Sequence, residues 1–199
     1  MTRNEFLNNY WRFYLLLEDK FLKSLSYVEL CSQNYGTYSI EFVSQLREIG
    51  SEIDIIMKEI CGFAQEDDVD IRNYKEEVIE LYPDIVNQVV IGRGIEIKPF
   101  KNWGSNKALP WWKAYNKVKH GRAGNFSKAT LINTFNALGA LFILNNYLLK
   151  KITDGTNEID IPDEEPKLFV MKNWSTKFLN GNNTIMQIVK TIDLPDIGL

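Results

Sequence analysis

The residues best suited to chemistry lie in one segment, P-W-W-K-A-Y-N-K-V-K-H-G-R, which runs from Pro110 to Arg122. It contains the only histidine of the chain, His120. Histidine is the side chain that most readily exchanges protons near neutral pH. If the segment is helical, Trp112, Asn116 and His120 are four residues apart and share one face. The spacing therefore predicts an imidazole with an amide one helical turn before it.

Cations surround this predicted face. Lys113 and Lys117 lie beside it, and Lys119 and Arg122 flank its end. A histidine in this setting could transfer protons while the cations hold a phosphate group. Such a site can cleave RNA without a metal ion, because a base activates the 2′-hydroxyl and positive charge stabilises the phosphorane. The structural alternative is a histidine that only complements the helix dipole before Gly121, next to a solvated basic surface.

The charge of the chain is unevenly distributed. Between Glu96 and Asp154 there are ten Lys or Arg residues and no Asp or Glu, within a chain of 23 basic and 26 acidic residues. The remaining residues therefore carry 13 basic and 26 acidic side chains. A basic segment in an otherwise acidic protein favours binding of an acidic ligand such as nucleic acid.

The length of 199 residues predicts one domain, or one domain with an appendage. The N-terminus has no signal-peptide pattern, and the longest apolar patch, residues 137–149, is shorter than the roughly 20 residues that span a bilayer. We therefore expect a cytoplasmic protein with no membrane partner. Cys31 and Cys61 have neither disulfide-framework nor metal-ligand spacing, so we expect reduced thiols, no metal and no cofactor.

Apolar residues recur every three or four positions through most of the chain, which predicts helices. We expect these at residues 4–31, from a cap at Thr37 or Ser39 to Cys61, at 71–82, from Pro110 to His120, and from a cap at Asn125 or Ser127 to about 151. Residues 86–91 and 95–100 predict a hairpin around Gly92 and Gly94, and residues 167–171 and 184–192 predict later strands.

These elements predict a mainly α fold: an antiparallel bundle of four to five helices with a small β-hairpin and an irregular C-terminal appendage. The bundle is expected to cover residues 1–152, with the hairpin inserted at about 86–100. Residues 153–199 form the appendage, whose role the sequence does not indicate.

The chain resembles the HEPN superfamily of helical-bundle proteins, particularly its small uncharacterised bacterial and phage-defence-associated members. The resemblance rests on W-W-K-A-Y-N-K-V-K-H-G-R after long helices, followed by a helix with N-A-L-G-A-L-F-I-L, and covers roughly residues 4–151. It implies an up-and-down bundle that usually forms a homodimer. Many members are metal-independent endoribonucleases of toxin–antitoxin, abortive-infection and CRISPR systems. The implied partners are RNA, a second copy of the chain, and an antitoxin or defence-system protein.

The family signature is an arginine, a polar residue, a short spacer and a histidine, and the motifs of two subunits form one active site. The resemblance implies Asn116 as the polar residue and His120 as the histidine. The arginine position falls on Tyr115, so this tyrosine is the third candidate catalytic residue and a departure from the signature. The nearest preceding arginine is Arg93.

This departure leaves two hypotheses. In the first, the protein is an endoribonuclease with His120 as general acid or base, and the phosphate is held by Lys113, Lys117, Lys119 or Arg122. In the second, the bundle binds RNA, a nucleotide or a protein without turnover. A structural dimer in a defence assembly is a third interpretation.

Overall fold

The computed structural model describes residues 1–179 and 185–190 and confirms a mainly α bundle. The helices are α1 (Arg3–Phe6), α2 (Arg12–Ser24), α3 (Ile40–Cys61), α4 (Ile71–Leu81), α5 (Lys101–Gly104), α6 (Pro110–Asn125) and α7 (Leu131–Thr153). Helix α3 packs against α2, α4, α6 and α7, and α7 also contacts α1, α2 and α6. Helices α3 and α7 therefore form the centre of the bundle.

The first helical segment is shorter than the predicted 4–31. Helices α1 and α2 are joined by a π-helical turn, Leu7–Trp11, and α2 ends at Ser24. Phe6, Tyr14 and Phe21 are fully buried along this segment. After Ser24 the chain leaves the helix: Tyr27 is 91% exposed, whereas Leu30 is buried and packs on the core from outside the helix.

Helix α3 begins and ends where the sequence predicted. The Ser39 hydroxyl accepts a hydrogen bond from the Phe42 N–H, and Gly62 closes the helix with a φ of 76°, which glycine adopts readily. Helix α4 begins after Asp70, whose side chain accepts a hydrogen bond from the Arg72 N–H. The predicted cap and end of α3 are confirmed, and α4 begins at the predicted residue and ends one residue earlier than predicted.

The predicted caps of the last helix, Asn125 and Ser127, are wrong. Residues 126–128 form a short 3₁₀ turn, and α7 is capped by Thr130, whose hydroxyl accepts a hydrogen bond from Asn133. A β-bridge between Tyr38 and Thr130 fixes this start. The cap is thus selected by a contact with a distant part of the chain, which local sequence does not reveal.

The predicted hairpin is present and has short strands, β1 (Val90–Gly92) and β2 (Ile95–Ile97). A third strand, β3 (Phe169–Met171), pairs antiparallel with the other side of β1. Strands β4 (Trp174–Leu179) and β5 (Ile185–Lys190) form a separate antiparallel pair. Strand β3 lies within the predicted 167–171, whereas β4 was not predicted. Strand β5 lies within the predicted 184–192, of which residues 184, 191 and 192 are outside the described residues.

The described part of the C-terminal segment is anchored to the bundle. Phe169 is fully buried against the rings of Phe135 and Phe142. Glu18, 1% exposed, accepts hydrogen bonds from the backbone N–H groups of Lys167 at 2.8 Å and Leu168 at 3.0 Å. This part of the segment that was predicted as an appendage therefore contributes to the core. Among the described residues, none of the helices is long and apolar enough to cross a membrane.

Candidate functional site

A groove of about 760 Å³ runs beside α6. It is lined by residues from α4, from α5 and the segment that follows it, and from α6. The lining residues are Ile71, Arg72, Lys75, Trp103, Asn106, Lys107, Ala108, Leu109, Trp112, Lys113, Asn116, Lys117, His120, Gly121 and Asn125. The groove therefore includes the predicted face of α6 and adds residues from elsewhere in the chain.

The structure brings four of the predicted site residues together in this groove: Asn116, His120, Lys113 and Lys117. His120 and the two lysines are exposed, and Asn116 is half-buried. They share one side of α6 because the helix continues without interruption from Pro110 to His120. The imidazole is therefore accessible to a ligand, with an amide and cations nearby.

Helix α6 changes direction at Gly121, where the backbone is non-helical with φ −150° and ψ 53°. Asn125 stabilises the turn that follows, since its side-chain N–H donates to the Gly121 carbonyl at 2.9 Å. The predicted end of the regular helix at Gly121 is confirmed. His120 is thus the last regularly helical residue of the groove face.

Tyr115 lies on a different side of α6. It is 3% exposed, packs next to Gly50 of α3 and contacts the Trp112 ring, and it does not line the groove. Successive residues on a helix point about 100° apart, and here Tyr115 points toward α3 while Asn116 faces the groove. Tyr115, the third predicted catalytic residue, is therefore directed into the core of the bundle.

Lys119 and Arg122 are exposed, but they are not among the groove residues. The Lys119 ammonium lies 5.4 Å from the centre of the Tyr115 ring. Arg122 follows the change of direction at Gly121. The structure therefore divides the four predicted phosphate-binding residues into a pair inside the groove and a pair outside it.

Sequence reasoning missed three cations of the groove: Arg72 and Lys75 on α4, and Lys107. The Arg72 guanidinium donates to the Asp70 carboxylate, with Nε–Oδ2 at 3.0 Å and Nη2–Oδ2 at 2.6 Å. These hydrogen bonds from Arg72 lower the pKa of Asp70 to about 2, so the carboxylate is ionised at neutral pH. The sequence did not reveal these residues, because the position of α4 beside the groove depends on how it packs on α3 and on the turn that follows it.

The α4 side of the groove is connected to the segment before α6. The Lys75 ammonium donates to the Asn106 side-chain oxygen. Asn106 itself has a positive φ of 56°, which asparagine tolerates better than most residues. This hydrogen bond joins α4 to the segment that contributes Lys107.

The tryptophans near the groove are structural. Trp103 and Trp112 are buried beneath it, and Trp111 donates its indole N–H to the Pro99 carbonyl at 3.0 Å. Because stacking on a nucleic-acid base requires an exposed ring face, these tryptophans do not provide such a platform. They form an apolar floor that supports the polar residues of α6.

The groove is electropositive. Among the described residues that line it, five are Lys or Arg and none is Asp or Glu. No group of three or more His, Cys, Asp or Glu in the described part of the chain is arranged to hold a metal ion. The arrangement suits an anionic ligand held by cations, with one imidazole available for proton transfer.

Comparisons of the chain with protein-family models, with curated proteins and with solved structures find no match.

Proposed function

We propose that this protein is a HEPN-like, metal-independent endoribonuclease that binds RNA in the groove beside α6, with His120 as general acid or base. The supporting observation is the composition of the groove: the only histidine of the chain lies among five cations, without a lining carboxylate among the described residues. Cations hold a phosphodiester and stabilise the charge that develops on its oxygens during cleavage.

In the proposed reaction, the imidazole of His120 takes the proton from the ribose 2′-hydroxyl, or gives one to the leaving 5′-oxygen. The 2′-oxygen attacks phosphorus, the bond to the 5′-oxygen breaks, and a 2′,3′-cyclic phosphate forms. Lys113 and Lys117 neutralise the phosphorane, and the Asn116 amide donates to a phosphate oxygen. One histidine supplies one proton transfer, so we propose that a second copy of the chain supplies the other in a homodimer.

The proposed setting is a cytoplasmic toxin–antitoxin or phage-defence system, in which an antitoxin or defence-system protein is the further partner. This part of the proposal is supported by the sequence resemblance to HEPN proteins. The residues that carry this resemblance are Asn116 and His120, at the polar and histidine positions of the HEPN signature.

The test is an RNA cleavage assay in the presence of EDTA, with wild type, His120→Ala and Lys128→Ala at equal folded concentrations. Lys128 is an exposed residue of the same basic segment that does not line the groove. We expect wild type and Lys128→Ala to release products with 2′,3′-cyclic phosphate ends, and His120→Ala to be inactive. Equal cleavage by all three proteins would exclude His120 from the chemistry.

A second candidate function is RNA binding without cleavage. It is favoured by one specific observation: Tyr115, at the arginine position of the signature, is buried in the core. A guanidinium contributed by α6 itself is therefore missing from the groove. In this case the wild type would retain RNA in a salt-dependent manner, and no product would form at any enzyme concentration.

A further inference from the structure

The groove has one guanidinium among its lining residues, and it belongs to Arg72 of α4. We propose that Arg72 is a phosphate-binding residue of the groove and that Asp70 occupies its guanidinium until RNA displaces the carboxylate. This inference rests on the proposed function, since it concerns how the same groove holds RNA. It identifies a helix outside the family signature as the source of the missing arginine.

The Arg72 guanidinium already holds an anionic group through two of its donors. Nε and Nη2 of Arg72 both donate to Oδ2 of Asp70, and Nε also lies 3.3 Å from Oδ1. A phosphodiester presents two oxygens to the same pair of N–H donors. The guanidinium can therefore exchange the carboxylate for a phosphate without changing its own conformation.

The exchange costs little because the pair is exposed. The Arg72 side chain is 84% exposed and that of Asp70 is 48% exposed. Ion pairs in such a setting are weak, since water and salt screen both charges. A multiply charged RNA that also contacts the lysines of the groove can therefore replace a single carboxylate.

Asp70 also caps the N-terminus of α4, and this role does not depend on the Arg72 guanidinium. Its Oδ1 accepts a hydrogen bond from the Arg72 backbone N–H at 2.7 Å, and its own N–H donates to the Asn73 side-chain oxygen at 3.0 Å. These two bonds form the cap of α4. The Arg72 side chain can therefore leave Asp70 while the helix keeps its cap.

Lys75 extends the binding side of α4. It follows Arg72 by three residues and so lies on the same face of the helix. Its hydrogen bond to Asn106 holds the ammonium beside the groove. Arg72 and Lys75 thus give α4 two adjacent cations, separate from Lys113 and Lys117 on α6.

The double role of Asp70 allows a clean experiment. Asn caps helices as well as Asp does, so Asp70→Asn removes the negative charge and keeps the cap. Asp68→Asn is the matched control, because Asp68 is exposed in the same acidic loop and the charge change is identical. For the arginine, Arg72→Gln is compared with Arg47→Gln, an exposed arginine of α3 that does not line the groove.

The measurement is fluorescence anisotropy of a labelled 2′-O-methyl oligoribonucleotide, which cannot be cleaved, over a range of salt concentrations. We expect Arg72→Gln to weaken binding and to reduce the slope of log K against log salt by about 0.7, as for one lost phosphate contact. Arg47→Gln should leave the slope unchanged, and Arg72→Lys should restore only part of the affinity, because lysine lacks the donor fork.

Asp70→Asn should lower Kd by about two- to fivefold, the range expected for release from an exposed ion pair. Asp68→Asn should have a smaller effect. In the Arg72→Gln background the two aspartate changes should become equal, because the guanidinium that distinguishes them is gone.

The outcomes separate this inference from the proposed function. If wild type binds the oligonucleotide but Arg72→Gln has the same Kd and slope, the role of Arg72 is refuted while RNA binding stands. Equal effects of Asp70→Asn and Asp68→Asn in the wild-type background would refute the masking by Asp70. If wild type binds no RNA at all, both proposals are refuted.

Discussion

Gly50 of α3 lies against the ring of Tyr115 of α6: a Cβ atom at Gly50 would be 2.3 Å from Cδ2 of the tyrosine. Carbon atoms that are not bonded to each other do not approach so closely, so the two helices can adopt this packing only with glycine at this position. The contact holds Tyr115 in the core and thereby directs Asn116 and His120 toward the groove. The orientation of the candidate site depends on it.

Gly50→Ala should therefore destabilise the protein. Overpacking a buried contact typically costs about 1–3 kcal/mol, even though alanine favours the helix more than glycine does. Urea unfolding of wild type and variant measures the difference. The control is Gly124→Ala, a helical glycine with no atom within 4 Å of the added carbon, which should be neutral or slightly stabilising. A Gly50→Ala protein as stable as Gly124→Ala would show that the contact can relax.

Glu18 should be essential for attaching the described C-terminal segment. Its carboxylate accepts hydrogen bonds from Tyr14 and from the backbone N–H groups of Lys167 and Leu168. Glu18→Ala leaves these donors without their partner, and we expect a loss of about 3 kcal/mol or more. Trypsin should then cleave after Lys167 much faster than in wild type, as followed by mass spectrometry.

The matched control is the next residue, Asp19. It also binds Lys167, through the side-chain ammonium at 2.8 Å, but both side chains of this pair are about half exposed or more. Asp19→Ala should leave the cleavage rate and the stability nearly unchanged. If the two variants released the fragment ending at Lys167 at the same rate, the buried carboxylate would not be the anchor.

The face of α6 could be predicted from sequence, whereas the other side of the groove could not. Trp112, Asn116 and His120 line the groove together, as helical spacing requires. Arg72 and Lys75 belong to a helix whose own sequence shows only a cap and an apolar stripe. Their position depends on how α4 packs on α3, which is a property of the whole bundle and not of a local pattern.

A long-range contact also explains why the predicted start of α7 was wrong. Asn125 and Ser127 are good capping residues in isolation, yet the helix starts after Thr130. The Leu131 N–H donates to the Thr37 carbonyl at 2.7 Å, so a backbone contact from the segment before α3 determines the boundary. Local capping preference is weaker than a long-range contact of this kind.

The Cys61 thiol should become reactive only at high pH. Burial is the main cause that raises its pKa from 9.0 to about 12, with Glu77 adding to the effect and Lys151 opposing it. Because the folded state holds this proton more tightly, the associated stability is fully present below pH 9 and is lost as the pH rises toward 12. In a Cys31→Ala variant, the rate of iodoacetamide labelling should still rise about tenfold per pH unit above pH 9.

The same variant unfolded in urea provides the comparison. There the labelling rate should level off above about pH 9, as for an ordinary thiol. A plateau at the same pH in the folded protein would mean that the environment of Cys61 does not favour the protonated form.

The two pairs of cations near His120 should differ in their effect on RNA binding. Lys113 and Lys117 line the groove, whereas Lys119 and Arg122 do not. Lys113→Gln with Lys117→Gln removes the same charge as Lys119→Gln with Arg122→Gln, so long-range electrostatics change equally. We expect the first double variant to lose about 1.4 in the slope of log K against log salt, and the second to lose much less, because only phosphates inside the groove are contacted directly.

Anisotropy titrations with the uncleavable oligoribonucleotide measure both slopes. Equal losses would mean that RNA follows the outer surface of α6, and the site would then have to be moved away from the groove that contains His120.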